Sequence, residues 1–178
     1  QPRRAKPVIC SDSRGFMYDK HGINLQTLQS LKEGANESLE LYLKYHPDAV
    51  YTPVSDYPDG QNGVWSVPCD LAFPCATQNE LNAKDAQTLL ANGCFLVSEG
   101  ANMPSTPEAV ELFLKAKILY GPGKAANAGG VATSQLEMAQ NASMQQWSFE
   151  QVDSRLKLIM ENIYRQCAHT AEEFGEPN

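Results

Sequence analysis

The stretch Cys94-Phe-Leu-Val-Ser98-Glu-Gly-Ala-Asn102, continued by Met103-Pro-Ser-Thr106-Pro107, decides the fold. A short apolar run between Gly93 and a polar tip reads as a buried strand. Thr106 then caps a helix, and Pro107 takes its first position, where a missing N–H costs nothing. Val110, Phe113 and Leu114 supply the inward face of that helix. Upstream, Asn82 caps a helix that runs to Asn92 with Gly93 as its stop. Before it, the apolar run 69–73 reads as another buried strand, entering Pro74-Cys-Ala-Thr-Gln-Asn79. Downstream, Ile118-Leu119-Tyr120 feeds a loop rich in glycine and alanine, and a helical pattern begins near Gly130 with Val131, Ser134, Leu136 and Met138. Strands alternating with helices imply parallel strands joined by crossovers, hence an α/β fold with helices on both faces of a mostly parallel sheet.

The flanks extend this pattern. Pro7-Val-Ile-Cys-Ser-Asp-Ser13 reads as a strand ending in a polar turn, with no element before it, as though the chain opened inside a fold. A helical stretch spans residues 24–45, carrying Leu25, Leu28, Leu31, Leu39, Leu41 and Leu43, with Gly34 as a break and His46-Pro47 as its close. Ser148-Phe-Glu-Gln151 forms a capping box, with Trp147 and Val152 placed to staple across it. Val152, Leu156, Ile159, Ile163 and Cys167 then recur at helical spacing to about Glu173.

A chain of 178 residues suits one domain, burying roughly 70% of its unfolded surface. At 42% hydrophobic and 20% charged, with mean hydropathy -0.40, it reads as soluble and globular, without the run of about 18 apolar residues that spans a bilayer. A net charge of -7 argues against nucleic acid, and the one basic knot, Arg3, Arg4 and Lys6, reads as a solvated edge. Five cysteines without a Cys-x-x-Cys pair argue against a disulfide framework or zinc site, and fit a reduced, cytoplasmic setting. Cys69 and Cys75 read as small buried residues. The sequons at Asn36 and Asn141 are set aside for want of any secretory signal. His21, His46 and His169 are scattered without ligand spacing, so no metal is expected.

Polar residues collect where strands end: residues 11–14, 76–79 and 99–102, and Asn127. In an open parallel sheet those ends share one edge, where ligands bind. In Gly121-Pro-Gly-Lys-Ala-Ala-Asn-Ala-Gly-Gly-Val-Ala-Thr-Ser134 the glycines let backbone approach a flat ligand, and Asn127 and Ser134 offer side-chain hydrogen bonds. Asp12 reads either as a turn former or as an acceptor for an adenosine ribose, and Ser13 and Arg14 as donors suited to a 2′-phosphate, which favours NADP. Gly121-x-Gly-x-x-Ala126 matches the dinucleotide fingerprint only superficially, because Pro122 stiffens the turn and Asp12 lies upstream of it. If Asp12 is the ribose acid, the true glycine fingerprint precedes residue 1. Glu99 reads as a structural carboxylate ahead of a general base. Lys124 is either an anion-steering or a solvated cation, and Gln135, Glu137 and Gln140 read as the wet face of their helix.

Three motifs now bear on family. Pro74-Cys-Ala-Thr-Gln-Asn-Glu-Leu81, Ser98-Glu-Gly-Ala-Asn-Met-Pro104 and Gly123-Lys-Ala-Ala-Asn-Ala-Gly-Gly-Val-Ala-Thr-Ser134, followed by Leu136-Glu-Met-Ala-Gln-Asn141, closely resemble glutamate dehydrogenase of the small hexameric type, over nearly the whole chain. The resemblance implies a Rossmann-like cofactor domain, here without its first strand and glycine-rich loop. It places a partial dinucleotide-binding domain at 1–146 and a helical segment at 147–178 that packs toward a substrate domain. The implied reaction is reversible oxidative deamination of L-glutamate to 2-oxoglutarate and ammonia, with hydride passing to NADP, or NAD as the alternative. Implied cofactor contacts are Asp12 and Ser13 at the adenosine ribose or its phosphate, Ala76, Thr77 and Gln78 along the dinucleotide groove, and Gly100, Ala101, Asn102 and Asn127 near the nicotinamide and its ribose. Val131 and Ser134 match positions lining the substrate side-chain pocket, where Ser134, read as lying at a helix start, would donate to the γ-carboxylate.

The family's catalytic lysine and aspartate belong to a separate N-terminal domain with no counterpart in residues 1–178. No catalytic residue is therefore expected here, the chain alone is expected to be inactive, and a homohexamer is expected of the full-length protein. Two other readings stay open. A leucine- or phenylalanine-type dehydrogenase would place an apolar residue at position 134, since its substrate would leave the hydroxyl unpaired at about 1–3 kcal/mol. A noncatalytic nucleotide-binding module would use the same sheet edge without chemistry, and a methyltransferase ranks far behind because it does not account for the Ala-Thr-Gln-Asn and Gly-Ala-Asn segments.

Overall fold

The computed structural model describes residues 5–33 and 37–176. The chain forms two compact units, divided between Pro68 and Cys69.

The first unit is built on β1 (Ile9–Asp12), β2 (Gly15–Tyr18) and β3 (Val50–Pro53), in the order β1-β2-β3. Both pairs are antiparallel. This departs from the parallel arrangement expected of the first strand. Asp12 pairs with Gly15, so only Ser13 and Arg14 separate the strands. Asp12 Oδ1 accepts the Arg14 N–H at 2.9 Å, the side-chain turn that aspartate favours, and the chain reverses there instead of crossing over. Gly15 fits because a Cβ there would run into the Thr52 carbonyl oxygen and lie 2.7 Å from the Tyr51 hydroxyl.

The helical stretch divides into α1 (Leu25–Glu33) and a 3-10 turn (Leu39–Lys44). Gly34, the expected break, lies outside the described residues, as do Arg3, Arg4 and Asn36. Leu39 and Tyr42, three apart, are both fully buried, as a three-residue turn requires. They join Met17, Ile23, Leu31 and Ala49 in one core. Tyr42 stacks on His46 with ring centroids 4.3 Å apart, and its hydroxyl accepts the Asn24 N–H at 2.7 Å and donates to buried Asp19 at 3.3 Å.

The second unit carries β4 (Leu71–Ala72), β5 (Leu96–Ser98) and β6 (Leu119–Gly121) as a parallel sheet with β5 central. The crossovers are α2 (Ala83–Ala91) and α3 (Pro107–Ala116), which pack on each other. Both caps follow the sequence. Asn82 Oδ1 accepts the Lys84 and Asp85 N–H groups, Asp85 returns a bond to the Asn82 N–H at 3.0 Å, and Thr106 Oγ1 accepts the Ala109 N–H. On α3 the fully buried residues are Phe113 and Ala109, whereas Leu114, expected inside, is exposed. Helical rotation carries it off the face that Ala109 and Phe113, four apart, share.

Two helices follow β6, a short α4 (Gly123–Ala126) and then α5 (Ala128–Ala142). After the Ser148/Gln151 capping box comes α6 (Phe149–Glu173). Val152, Leu156, Ile159 and Ile163 are half-buried on it, and Cys167 is exposed. α5 packs on α6, and Gly129 lies on that face: a Cβ there would sit in ordinary contact with Met160 and Leu156 at 3.8 and 3.9 Å. Trp147 holds the Arg155 guanidinium 3.7 Å above its ring, a cation–π contact that closes the start of α6. Among the described residues no helix is long and apolar enough to cross a membrane.

Candidate functional site: the carboxyl edge of the parallel sheet

Three loops leave the carboxyl ends of β4, β5 and β6, and backbone hydrogen bonds tie them together. The Pro74 carbonyl accepts from the Gly100 and Ala101 N–H groups at 3.0 and 3.1 Å. Asn79 donates its N–H to the Met103 carbonyl at 3.0 Å, both residues holding left-handed backbone. Gly100 allows this approach, since a Cβ there would collide with Cys75 Sγ. Ala76 gives its N–H to Glu80 Oε1 at 2.8 Å, and Thr77 adds a second N–H to that carboxylate. Burial nonetheless keeps Glu80 above the usual carboxylate value.

Glu99 is the post of this edge. It is 5% exposed, and its Oε2 accepts the Gly123 N–H at 2.8 Å while Oε1 accepts the Ser105 N–H at 3.3 Å. The Tyr120 hydroxyl also bonds to it, and burial, reinforced by the Glu99 charge, raises the tyrosine well above its ordinary value. A carboxylate with both oxygens engaged this way is structural, the reading preferred from sequence. Asn127 completes the link: its Nδ2 donates to the Ala101 carbonyl at 2.9 Å, joining the segment after β6 to the loop after β5.

The glycines of 121–130 divide by role. A Cβ on Gly121 would lie 2.9 Å from Ser98 Oγ, and one on Gly123 would lie 3.1 Å from Glu99 Oε2. Both fit their glycine against the protein's own atoms, so much of this stretch serves packing after all. Gly130 is different, with no atom within 4 Å of a Cβ built there.

The structure therefore brings Gly100, Ala101 and Asn127 into one bonded group, with exposed Asn102 on the same loop. Ala76, Thr77 and Gln78 are exposed on the neighbouring loop. Cys75, expected to be buried, is exposed there too, because the turn after buried Pro74 carries it outward. Val131 and Ser134 lie on α5, both exposed. Since α5 begins at Ala128, Ser134 stands nearly two turns inside it, not at its start, and its hydroxyl donates to the Gly130 carbonyl at 3.3 Å.

Asp12 and Ser13 belong to the first unit. Ser13 is exposed in the hairpin turn. Lys32 Nζ reaches Asp12 Oδ2 at 2.6 Å, and the Arg14 guanidinium stands 3.8 Å from the same oxygen. Burial alone would raise the Asp12 carboxyl, but the Lys32 hydrogen bond, the Arg14 N–H and the two cations overcome it and hold the group below its ordinary value. Two cations against one carboxylate leave the cluster net positive. Lys32 escaped the sequence reading, because only the fold of α1 carries a residue twenty positions away back to the hairpin turn.

Comparison with known proteins agrees with this architecture. The chain is 58% identical over 173 residues to the NADP-specific glutamate dehydrogenase of Helicobacter pylori strain J99, covering 97% of this chain and 39% of the relative. It is 51% identical over 168 residues to the glutamate dehydrogenase of Bacteroides thetaiotaomicron, covering 94% of this chain and 37% of the relative. A crystal structure of Plasmodium falciparum glutamate dehydrogenase superposes with a TM-score of 0.81 at 44% identity, over 96% of this chain and 36% of that one. The chain thus spans about two-fifths of the length of the relatives it matches. The family model for glutamate, leucine, phenylalanine and valine dehydrogenases matches residues 1–177, and to that family this chain belongs.

Proposed function

We propose that this chain is the cofactor-binding part of a glutamate dehydrogenase, which in the whole protein catalyses reversible oxidative deamination of L-glutamate to 2-oxoglutarate and ammonia. The observation that carries the reading is the carboxyl edge of β4–β6, where the Pro74 carbonyl, Glu99 and Asn127 tie three loops together, as a ligand crevice in an open α/β sheet requires. The donor set suits NADP, with NAD as the alternative. Around Asp12, a lysine and an arginine outnumber the carboxylate, which offsets the repulsion a lone acid would exert on a 2′-phosphate.

The nicotinamide of NADP, when bound, would accept or return the hydride. This chain's residues hold and orient. Asp12 and Ser13, joined by Arg14 and Lys32, would engage the adenosine ribose and its phosphate. Ala76, Thr77 and Gln78 would line the dinucleotide groove, while Gly100, Ala101, Asn102 and Asn127 flank the nicotinamide and its ribose. Val131 and Ser134 would meet the substrate side chain, Ser134 turning its hydroxyl from the Gly130 carbonyl to the γ-carboxylate. In this reading residues 1–146 belong to the cofactor domain and 147–178 to a helical segment packing toward the substrate domain. The catalytic acid–base residues lie outside these 178 residues. A cytoplasmic homohexamer of the full-length protein completes the reading.

Exchange of Lys32 for alanine in the intact protein tests the phosphate assignment. Loss of one charge-assisted hydrogen bond, about 1.5–3 kcal/mol, raises the KM for NADP roughly 10- to 150-fold and leaves NAD kinetics nearly unchanged. Equal effects on NADP and NAD would refute it.

A further inference from the structure

A pair of thiols lies at the opposite end of the parallel sheet from the candidate site. Leu71 pairs with Leu96 and Ala72 with Val97. The ladder continues toward the amino ends, where Phe95 donates its N–H to the Asp70 carbonyl at 3.0 Å. Two residues back from Leu71 and Leu96, on the segments that lead into the two strands, stand Cys69 and Cys94, and the rung at Asp70 and Phe95 keeps those segments side by side in the same register. Neighbouring strands run about 4.8 Å apart. A disulfide spans Cα atoms roughly 4.4–6.8 Å apart, so the bridge fits without moving the backbone far.

The register therefore sets the two thiols side by side, and Cys94 Sγ also donates to the Leu96 carbonyl at 3.3 Å. Cys69 donates a hydrogen bond to Cys94, which draws the Cys94 thiol below its ordinary value, while that bond and burial push Cys69 above it. Cys94 is 3% exposed and Cys69 half-buried, so a small neutral reagent has one open approach. Neither residue enters the proposed cofactor contacts.

We propose that Cys69 and Cys94 are a redox modification site, a dithiol that hydrogen peroxide converts to an intrachain disulfide. The sulfur that has lost its proton attacks one peroxide oxygen. An S–O bond forms, the O–O bond breaks, and the departing hydroxide takes up a proton to become water. The second sulfur, now deprotonated, attacks the sulfenic sulfur. The S–S bond forms, the S–O bond breaks, and a second hydroxide leaves as water. Two thiols are oxidised by two electrons and one peroxide is reduced to two waters. The other route for a sulfenic acid, further oxidation to sulfinic acid, is outrun because the partner thiol stands opposite in the same register.

The experiment exposes the intact protein to graded hydrogen peroxide, blocks remaining thiols with N-ethylmaleimide, and sequences unreduced proteolytic peptides by mass spectrometry, so that Cys69 and Cys75 are told apart. The expected product is a Cys69–Cys94 linked peptide, two hydrogens lighter than the two free peptides and released by dithiothreitol. It should form at peroxide doses below those that convert exposed Cys75 to its sulfinic acid. In Cys94→Ala and in Cys69→Ser the linked peptide is lost, and the remaining cysteine is found as sulfenic or sulfinic acid. Because Cys69 is half-buried, the second exchange keeps the test open if the first impairs folding. Recovery of Cys69 and Cys94 both as maleimide adducts at doses that consume Cys75 overturns the proposal. So does sulfinic acid at both residues without the linked peptide.

Discussion

At the scale of single residues, the buried carboxylate and the exposed hydroxyl make opposite demands. Glu99 answers the Gly123 and Ser105 N–H groups and the Tyr120 hydroxyl. Truncation to alanine leaves these donors unpaired in a buried place, at about 1–3 kcal/mol each. Glu99→Ala should therefore lose at least ~3 kcal/mol in urea unfolding, and Glu99→Gln, which keeps an acceptor, distinctly less. Ser134 is exposed and bonds only within its helix, so its exchange should spare stability and strike substrate use. Ser134→Val in the intact protein should lower kcat/KM for glutamate by about 1–3 kcal/mol, roughly 5- to 150-fold, with the KM for NADP unchanged. Unchanged glutamate kinetics would remove Ser134 from the substrate pocket. Asp12 gives a pH dependence. Its folded value lies below the ordinary 3.8, so its contribution to stability is complete above that pH and is lost as pH falls through the folded value. Urea unfolding of Asp12→Asn against wild type should show a gap at neutral pH that closes under acid conditions.

At the scale of elements, legibility followed the range of the causes. Caps were readable because they act within four residues: Asn82, Thr106 with Pro107, and Ser148 with Gln151 all close as their spacing demands, and Asp85 adds an unread return bond to Asn82. The parallel β4–β6 sheet was readable because each strand is an apolar run followed by a helix with its own start signal. The antiparallel sheet was not. Gly15-Phe-Met-Tyr18 follows a polar tip so closely that no separate strand is signalled there, and its partner β3 lies some 35 residues on, beyond any local signal. Lys32 was missed for the same reason, as its bond to Asp12 exists only once α1 has folded back. At the candidate edge, the polar tips were legible as residue types. That Gly121 and Gly123 face Ser98 and Glu99 was not, because glycine announces close approach without saying to what. The hairpin yields its own prediction. A methyl group at Gly15 meets the Thr52 carbonyl, so Gly15→Ala should destabilise by ~1–3 kcal/mol, measured by urea unfolding, through separation of β2 from β3. Unaltered stability would mean that the two strands do not approach as closely as the pairing shows.

At the scale of the whole molecule, the 178 residues present the sheet edge proposed to hold the cofactor and two residues proposed to meet the substrate. The sheet edge is internally complete, with loops bonded to one another through Pro74, Glu99, Ala101 and Asn127. The two residues proposed to meet the substrate are not enclosed: Val131 is 66% exposed and Ser134 faces water. A hydroxyl in water gains little from a carboxylate that water already solvates, so an exposed Ser134 can neither hold glutamate nor exclude solvent from a hydride transfer. Relatives more than twice as long carry this stretch as about two-fifths of their length. The remaining three-fifths is where an enclosing wall and an acid–base pair would come from. It follows that these 178 residues alone should give no glutamate-dependent reduction of NADP, followed by the absorbance of the reduced nicotinamide, while the intact protein turns over under the same conditions. Turnover by the short chain at a rate comparable to the intact protein would mean that Val131 and Ser134 already belong to a finished pocket, and the division of labour inferred from their exposure would fall with it.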